Sequence, residues 1–167
     1  MITDKILQLK DNQMANQFEI FFPSGIPGGG NISELPLRIK GTVSLPDKTI
    51  TFWERIYKGA KIPFPMTVDE TDKTLTLIAL IDQNWEVYDA LKTYHDLVFN
   101  PRDATGLPTS ELRTTVGIRM LDRNQTTVKT LLWKGSIIAR LKLSDPDYEA
   151  TEPQEVEMEW KWVNFED

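Results

Sequence analysis

The chain has no cysteine and a single histidine, His95. That excludes disulfide frameworks, thiolate metal sites and cysteine nucleophiles, and it leaves the usual zinc and iron ligand sets short of donors. No apolar run approaches the roughly 20 residues that a membrane helix needs. The start, Met1 to Asn12, is polar and mixed in charge, unlike a signal peptide, so neither a membrane anchor nor export by that route is expected. A basic excess is lacking too: 19 Lys and Arg stand against 25 Asp and Glu, for a formal net charge of -6. Proteins that grip DNA displace phosphate counterions with clustered Lys and Arg, and this composition argues against that class. There is no internal repeat, and low complexity is confined to one short glycine tract. The 167 residues read as one domain with room for a real core.

What is present is sharply patterned at the C-terminal end. Glu155 to Asp167 reads as one strand, with Val156, Met158, Trp160 and Trp162 on one face and Glu155, Glu157, Glu159 and Lys161 on the other. Successive strand side chains point to opposite sides, so this alternation describes a half-buried strand. Four large apolar groups at roughly 1.5–3 kcal/mol each, when buried, fix its register. The charged face must then meet water, or whatever the protein encloses. Charge is concentrated here: Ser144 to Asp167 holds nine acids against Lys161, whereas the rest of the chain holds 18 basic and 16 acidic residues.

Upstream, residues 1–17 read as a short helix or an arm, and Phe18 to Phe22 as a short strand ended by Pro23. Ser24 to Glu34, with Gly25, Pro27 and Gly28 to Gly30, reads as a flexible loop. Leu35 to Leu45 alternates like a strand, with Leu35, Leu37, Ile39 and Val43 inward. Thr49 to Tyr57 is rich in strand formers and leads into an irregular projecting segment broken by Pro63 and Pro65. Thr74 to Ile81 is the clearest buried strand. Asp82 and Asn84 can cap a helix in which Trp85, Tyr88, Leu91, Tyr94 and Val98 recur at three and four residues. Residues 99–112 read as a loop. Arg113 to Leu121 and Thr126 to Trp133 read as a hairpin, Ile137 to Leu143 as a short strand, and Ser144 to Pro153 as an acidic turn. The sum is mainly β: an antiparallel sandwich or barrel with one amphipathic helix packed at its edge.

Few residues suggest catalysis. His95 falls beside Tyr94 on the helix, where a surface or boundary role is the simpler account, and no nucleophile-elbow sequence exists. The glycine tract has no following Lys-Ser/Thr to hold a phosphate. Glu155, Glu157 and Glu159 stand about 7 Å apart along one strand face, within the range of glycosidase carboxylate pairs. That face has no aromatic platform, so a solvated or pore-lining role is favoured over carbohydrate binding or cleavage. The remaining anomaly is Phe52 to Met66, FWERIYKGAKIPFPM. Phe52, Trp53, Ile56, Tyr57 and Phe64 mix there with Arg55, Lys58 and Lys61. It is either a buried core loop or an arm, residues 47–68, that docks on a neighbouring subunit, since interfaces favour aromatics and arginine. Its basic charge would suit the acidic C-terminal region of the next copy.

The order of features resembles the tail tube proteins of contractile-tailed bacteriophages. The resemblance rests on Phe18-Glu19, Leu45-Pro46, the excursion 47–68, Thr74 to Ile81, the helix Trp85 to Val98, Leu132-Trp133-Lys134-Gly135, and Glu155 to Trp162. It covers nearly the whole chain. Two departures are the long glycine tract and Lys134, where the family often has proline. The resemblance implies a non-enzymatic structural subunit without cofactor or metal, forming hexameric rings that stack into a hollow tube for DNA ejection. It further implies sheath, tape-measure and baseplate partners, and location in the tail of a virion assembled in host cytoplasm. A tube-initiating baseplate protein, a tail-completion protein and a secretion-system tube protein carrying effectors are the related alternatives. Glu155, Glu157 and Glu159 would then face the lumen, or else form a solvated outer face.

Overall fold

The computed structural model describes residues 17–70, 73–149 and 151–167. The expectation for residues 1–16 lies outside the described residues. Among the described residues nine strands and three helices follow in order: β1 (Phe18–Phe21), α1 (Leu35–Arg38), β2 (Ile39–Lys40), β3 (Lys48–Tyr57), β4 (Ala60–Glu70), β5 (Thr74–Leu80), α2 (Glu86–Val98), α3 (Thr109–Leu112), β6 (Thr114–Leu121), β7 (Thr127–Leu143), β8 (Glu155–Lys161) and β9 (Asn164–Glu166). Seven strands make one curled antiparallel half-barrel, in the order β1-β6-β7-β8-β5-β2 with β9 also on β7; β3 and β4 pair only with each other.

The curl originates in β7. Its first part pairs with β6 up to Ser136, and from Ile137 onward it pairs with β8. Two residues before that switch Gly135 is bulged out of the β6 ladder at φ +69, a backbone conformation that side chains disfavour, so the strand turns a corner there without ending. The expected short strand Ile137 to Leu143 is thus the second half of one 17-residue strand. The expected C-terminal strand is instead broken. Trp162 and Val163 form a bend that hands the chain from β8, on the second half of β7, back to β9, on the first half. Trp162 still turns inward, as do Val156, Met158 and Trp160.

The sequence alternation of β5 and β8 becomes one apolar face: Leu75, Leu77 and Ala79 are buried beside Trp160, Met158 and Val156. The helix α2 packs against β7, and Tyr94 stacks 5.8 Å from Trp160. The Tyr94 hydroxyl donates to the Leu112 carbonyl at 2.6 Å, and burial pushes its pKa up to about 12. Asp82, not Asn84, caps the helix, accepting the N–H groups of Glu86 and Val87. Burial pushes this carboxyl up, but those N–H groups outweigh it and hold its pKa below the ordinary value. Trp85 lies just before the helix and is exposed, so the buried stripe is Val87, Ala90, Leu91 and Tyr94.

Two other expectations are corrected. Leu35 to Leu45 is not a strand: Pro36 fits the first turn of α1, Leu35 is buried, and Leu37 points outward at 85% exposure, leaving only two residues for β2. The glycine tract is a packed segment, with Gly28 against Leu97 and Thr93, and Gly30 against Ala90. A Cβ on Gly30 would fall 2.4 Å from the Ala90 Cβ, so the tract needs glycine for close approach to α2. Gly30→Val is expected to lower stability by about 2 kcal/mol or more through overpacking. Thermal unfolding checks this, and an unchanged midpoint would refute the contact.

Candidate assembly surfaces

The three glutamates lie together on the face of β8 opposite the core, each half-buried. Because β8 is flanked by β5 and β7, their neighbours come from strands distant in sequence. Glu155 pairs with Lys40 of β2 across β5. Arg140 of β7 donates to Glu159 at 3.0 Å and lies 3.6 Å from Glu157. Lys142 stands in register with Glu157, and Lys161 donates to Thr74 on the same face. Glu155, through its hydrogen bond and its charge, helped by Glu152, holds the Lys40 ammonium above the ordinary lysine pKa. The stripe of carboxylates read along β8 is therefore part of a mixed lattice, with Lys40, Arg140, Lys142 and Lys161 against three acids. Sequence reasoning missed these bases because their register with β8 depends on the sheet order and on the bulge at Ala139.

The same sheet has two unfilled edges. From Ile137 to Leu143, β7 pairs with β8 on one side, and on the other it has no strand partner among the described residues. At the opposite edge β2 covers only Ile78 and Ala79 of β5, so Leu75 to Leu77 have no strand partner on that side among the described residues. Such edges are ready-made templates for pairing with another chain.

The segment expected to be irregular is a regular two-stranded ribbon. Lys58 and Gly59, at φ 49 and φ 81, form a tight hairpin turn whose twist suits the flanking strands, so Tyr57 lies opposite Ala60. Pro63 and Pro65 are tolerated because each strand of an isolated ribbon has one unpaired side. In the single chain its large side chains are not buried as those of a core loop would be. Trp53 and Phe64 stack at 5.8 Å on one face, with Ile62 and Tyr57, and Phe52, Ile56, Pro63 and Pro65 lie on the other. All of these large side chains are exposed, Trp53 at 53% and Ile56 at 69%. Arg55 lies on the first face opposite Ile62, Lys58 sits at the turn near the Tyr57 ring, and Lys61 pairs with Glu54 at 3.3 Å. The ribbon thus holds a large apolar surface in water, of the kind that often marks an interaction site.

Among the described residues no group of three or more His, Asp or Glu side chains could hold a metal ion. Nor is any helix among them long and apolar enough to cross a membrane. His95 sits in the last turn of α2, half-buried.

No protein-family model matches the chain, and no curated protein matches it. Solved structures do. A chain of the anti-feeding prophage baseplate, a 6-fold symmetrised structure, aligns with 95% of this chain and 96% of its own length at TM-score 0.61 and 15% identity. A chain of the anti-feeding prophage cap, which terminates that tube, gives TM-score 0.61 over 95% and 91% at 10% identity. A chain from the sheath-tube complex of an extracellular contractile injection system gives 0.59 over 96% and 94% at 12% identity. At these identities the likeness establishes the fold, which is that found in contractile injection systems.

Proposed function

We propose that this protein is a structural, non-catalytic subunit of the hollow tube of a contractile injection system or phage-type tail. The observation that carries this reading is the pair of open edges on one four-stranded, fully antiparallel sheet, β2-β5-β8-β7. Because the number of strands is even, the next copy's β2 arrives antiparallel beside β7, and the alternation repeats at every contact. Head-to-tail contacts of this kind close into a ring when the rotation allows. Six copies, the symmetry of the baseplate structure it resembles, would make a barrel of about 24 strands. At about 4.8 Å between strands and a tilt near 40°, its backbone diameter is roughly 45–50 Å, an open channel.

The inner face of that ring follows from packing. Sheet β1-β6, β9 and α2 cover the apolar face, and a second layer fits only outside, where the circumference is larger. Glu155, Glu157 and Glu159 then line the lumen together with Arg140, Lys142 and Lys40. With Lys161 on the same face, this wall interleaves four bases with three acids and is not simply acidic, so a DNA or protein cargo meets no strong repulsion, and the ion pairs of Lys40 and Arg140 leave few bases free to hold it. Sheath, tape-measure and baseplate proteins are the expected partners, and a virion-like tail the expected location. The likeness to a cap chain and a baseplate chain favours a second reading, a tube terminator or initiator that forms one ring without elongating.

Electron microscopy at rising protein concentration tests both. Hollow tubes support the first reading and isolated rings the second, whereas a monomer at every concentration defeats both. The absence of native cysteine permits a further check of the edges. Variants pairing Lys40→Cys with Arg140→Cys or with Lys142→Cys, on the two strands that this arrangement brings together, are expected to give covalent ladders of oligomers on oxidation. Assembled protein that yields no ladder from either variant rules out pairing between these edges.

A further inference from the structure

Residues paired on neighbouring strands share a face, so the sheet order sorts the charges on the glutamate face into rows. One row runs Lys40, Ile78, Glu157, Lys142 across β2, β5, β8 and β7, and it begins and ends in lysine. The adjoining row on the opposite face runs Ile39, Ala79, Val156, Leu143. When the next copy's β2 continues the sheet beside β7, its Ile39 keeps to the core face, and its Lys40 must then share the face of Arg140 and Lys142. Beyond the bulge at Ala139 these two are the residues of β7 on that face, followed by Ser144 just past the strand end. Directly opposite residues lie about 5 Å apart and diagonal ones about 7–8 Å, so Lys40 of the next copy meets a base directly or diagonally at each of these positions.

The acids stand on one side of these bases. Glu159 accepts from Arg140 at 3.0 Å, Glu157 lies 3.6 Å from it, and Lys40 is drawn across β5 to Glu155 of its own copy. Lys142 is exposed and makes no ion pair among the described residues. Closing the ring therefore brings like charges together at every seam, which is destabilising when they stand directly opposite.

We propose that each seam between copies takes a phosphate-type oxyanion, held by Arg140 and Lys142 of one copy and Lys40 of the next. This rests on the tube reading and adds a ligand that only the assembled ring can bind. Within one copy Lys40 and Lys142 lie at opposite edges of the sheet, three strand spacings or roughly 14 Å apart, too far to share one anion. A tetrahedral oxyanion presents acceptors to both sides of the seam, and it suits the guanidinium fork as well as the lysine point charges. It replaces a repulsive contact by a bridged one, while edge hydrogen bonds and the apolar contact of Ile39 with Leu141 and Leu143 drive closure. Free phosphate and a nucleic-acid backbone in the lumen offer the same group.

Assembly of the full chain, followed by sedimentation and electron microscopy, tests this at low ionic strength with chloride, inorganic phosphate or a short DNA duplex at matched ionic strength. Millimolar phosphate is expected to lower the protein concentration needed for rings or tubes by about 10-fold relative to chloride, the effect of one charge-assisted contact. Lys40→Gln with Lys142→Gln removes the repulsion and the anion site together. That variant is expected to assemble in chloride and to gain less than about 2-fold from phosphate, whereas a general strengthening of apolar burial by phosphate would persist in it. Lys142→Gln alone, at an exposed side chain, is the milder variant and is expected to lose most of the response. Circular dichroism checks the fold of each.

A threshold lowered by phosphate identifies the free anion as the occupant, and one lowered by the duplex alone identifies the nucleic-acid backbone. A wild type that responds to neither beyond chloride overturns the proposal, as do folded variants that respond as the wild type does. In both cases assembly itself is intact, so the tube reading stands. A wild type that assembles under no condition removes both.

Discussion

Trp53→Ser combined with Phe64→Ser is expected to leave a folded monomer that no longer assembles. The two rings stack on each other on an isolated ribbon and on no part of the half-barrel core. Exposed substitutions away from packed features usually change stability by no more than about 0.5 kcal/mol, so thermal unfolding of the monomer should barely move. Assembly is different. Buried aromatic anchors at interfaces cost about 2 kcal/mol or more each when truncated, and every contact that the ribbon makes in the tube would lose the same pair. A combined loss of about 4 kcal/mol weakens each contact by roughly 1000-fold. Sedimentation and electron microscopy decide the matter. Tubes of normal length from this variant would falsify the interface role of the ribbon, and a variant that fails to fold as a monomer would return the ribbon to the core.

The reverse pattern is expected for Trp160→Ala, where stability fails first. Trp160 is completely buried on β8, 5.7 Å from the Phe22 ring and 5.8 Å from Tyr94, so it joins the central sheet to both the N-terminal segment and the long helix. Removing such an indole costs about 3–5 kcal/mol through lost transfer energy and a residual cavity. A domain of this size has about 5–15 kcal/mol in total. At about 2–4 °C per kcal/mol, the unfolding midpoint should fall by roughly 6–20 °C. Urea or thermal denaturation measures this directly, with Trp53→Ala as the exposed control. A loss under about 1 kcal/mol would show that Trp160 does not hold these layers together.

Together these substitutions separate the two apolar populations of the chain. Both contain tryptophan and phenylalanine in strands, and composition cannot tell them apart. Period separates them in part. The apolar groups of β8 recur at every second residue, which marks one buried face, whereas Phe52 and Trp53 are adjacent, so the ribbon presents large groups on both sides. A strand with two apolar faces and two prolines has no place in a half-covered sheet. For that reason the segment 47–68 is distinct from the core strands in sequence alone. The Lys58-Gly59 turn was also legible as a break, but its left-handed backbone and the tight hairpin it makes required the pairing partner.

The glutamate stripe is a different kind of case. Alternation placed Glu155, Glu157 and Glu159 on one face, and that face is where they lie. Their electrical character was not contained in the local pattern. Lys40 lies 115 positions before Glu155, and Arg140 comes into register with Glu159 only after the bulge at Ala139. Leu35 to Leu45 erred for a related reason: its apolar spacing suits a strand, yet Pro36 favours a helical turn and tertiary packing spared only Ile39 and Lys40 for β5.

The sequence by itself determined the β-rich class, the long amphipathic helix, the inward face of β8, the absence of cysteine chemistry, and the separation of basic ribbon from acidic C-terminal region. These are properties of period, composition and order, which act over a few residues or over the chain as a sum. Only the tertiary structure decided that β7 turns a corner at Gly135, that bases from β2 and β7 interleave with the carboxylates of β8, and that β3 and β4 pair with each other and not with the half-barrel. Each of these depends on which distant strands pair and in what register, and that is settled by packing of the whole core.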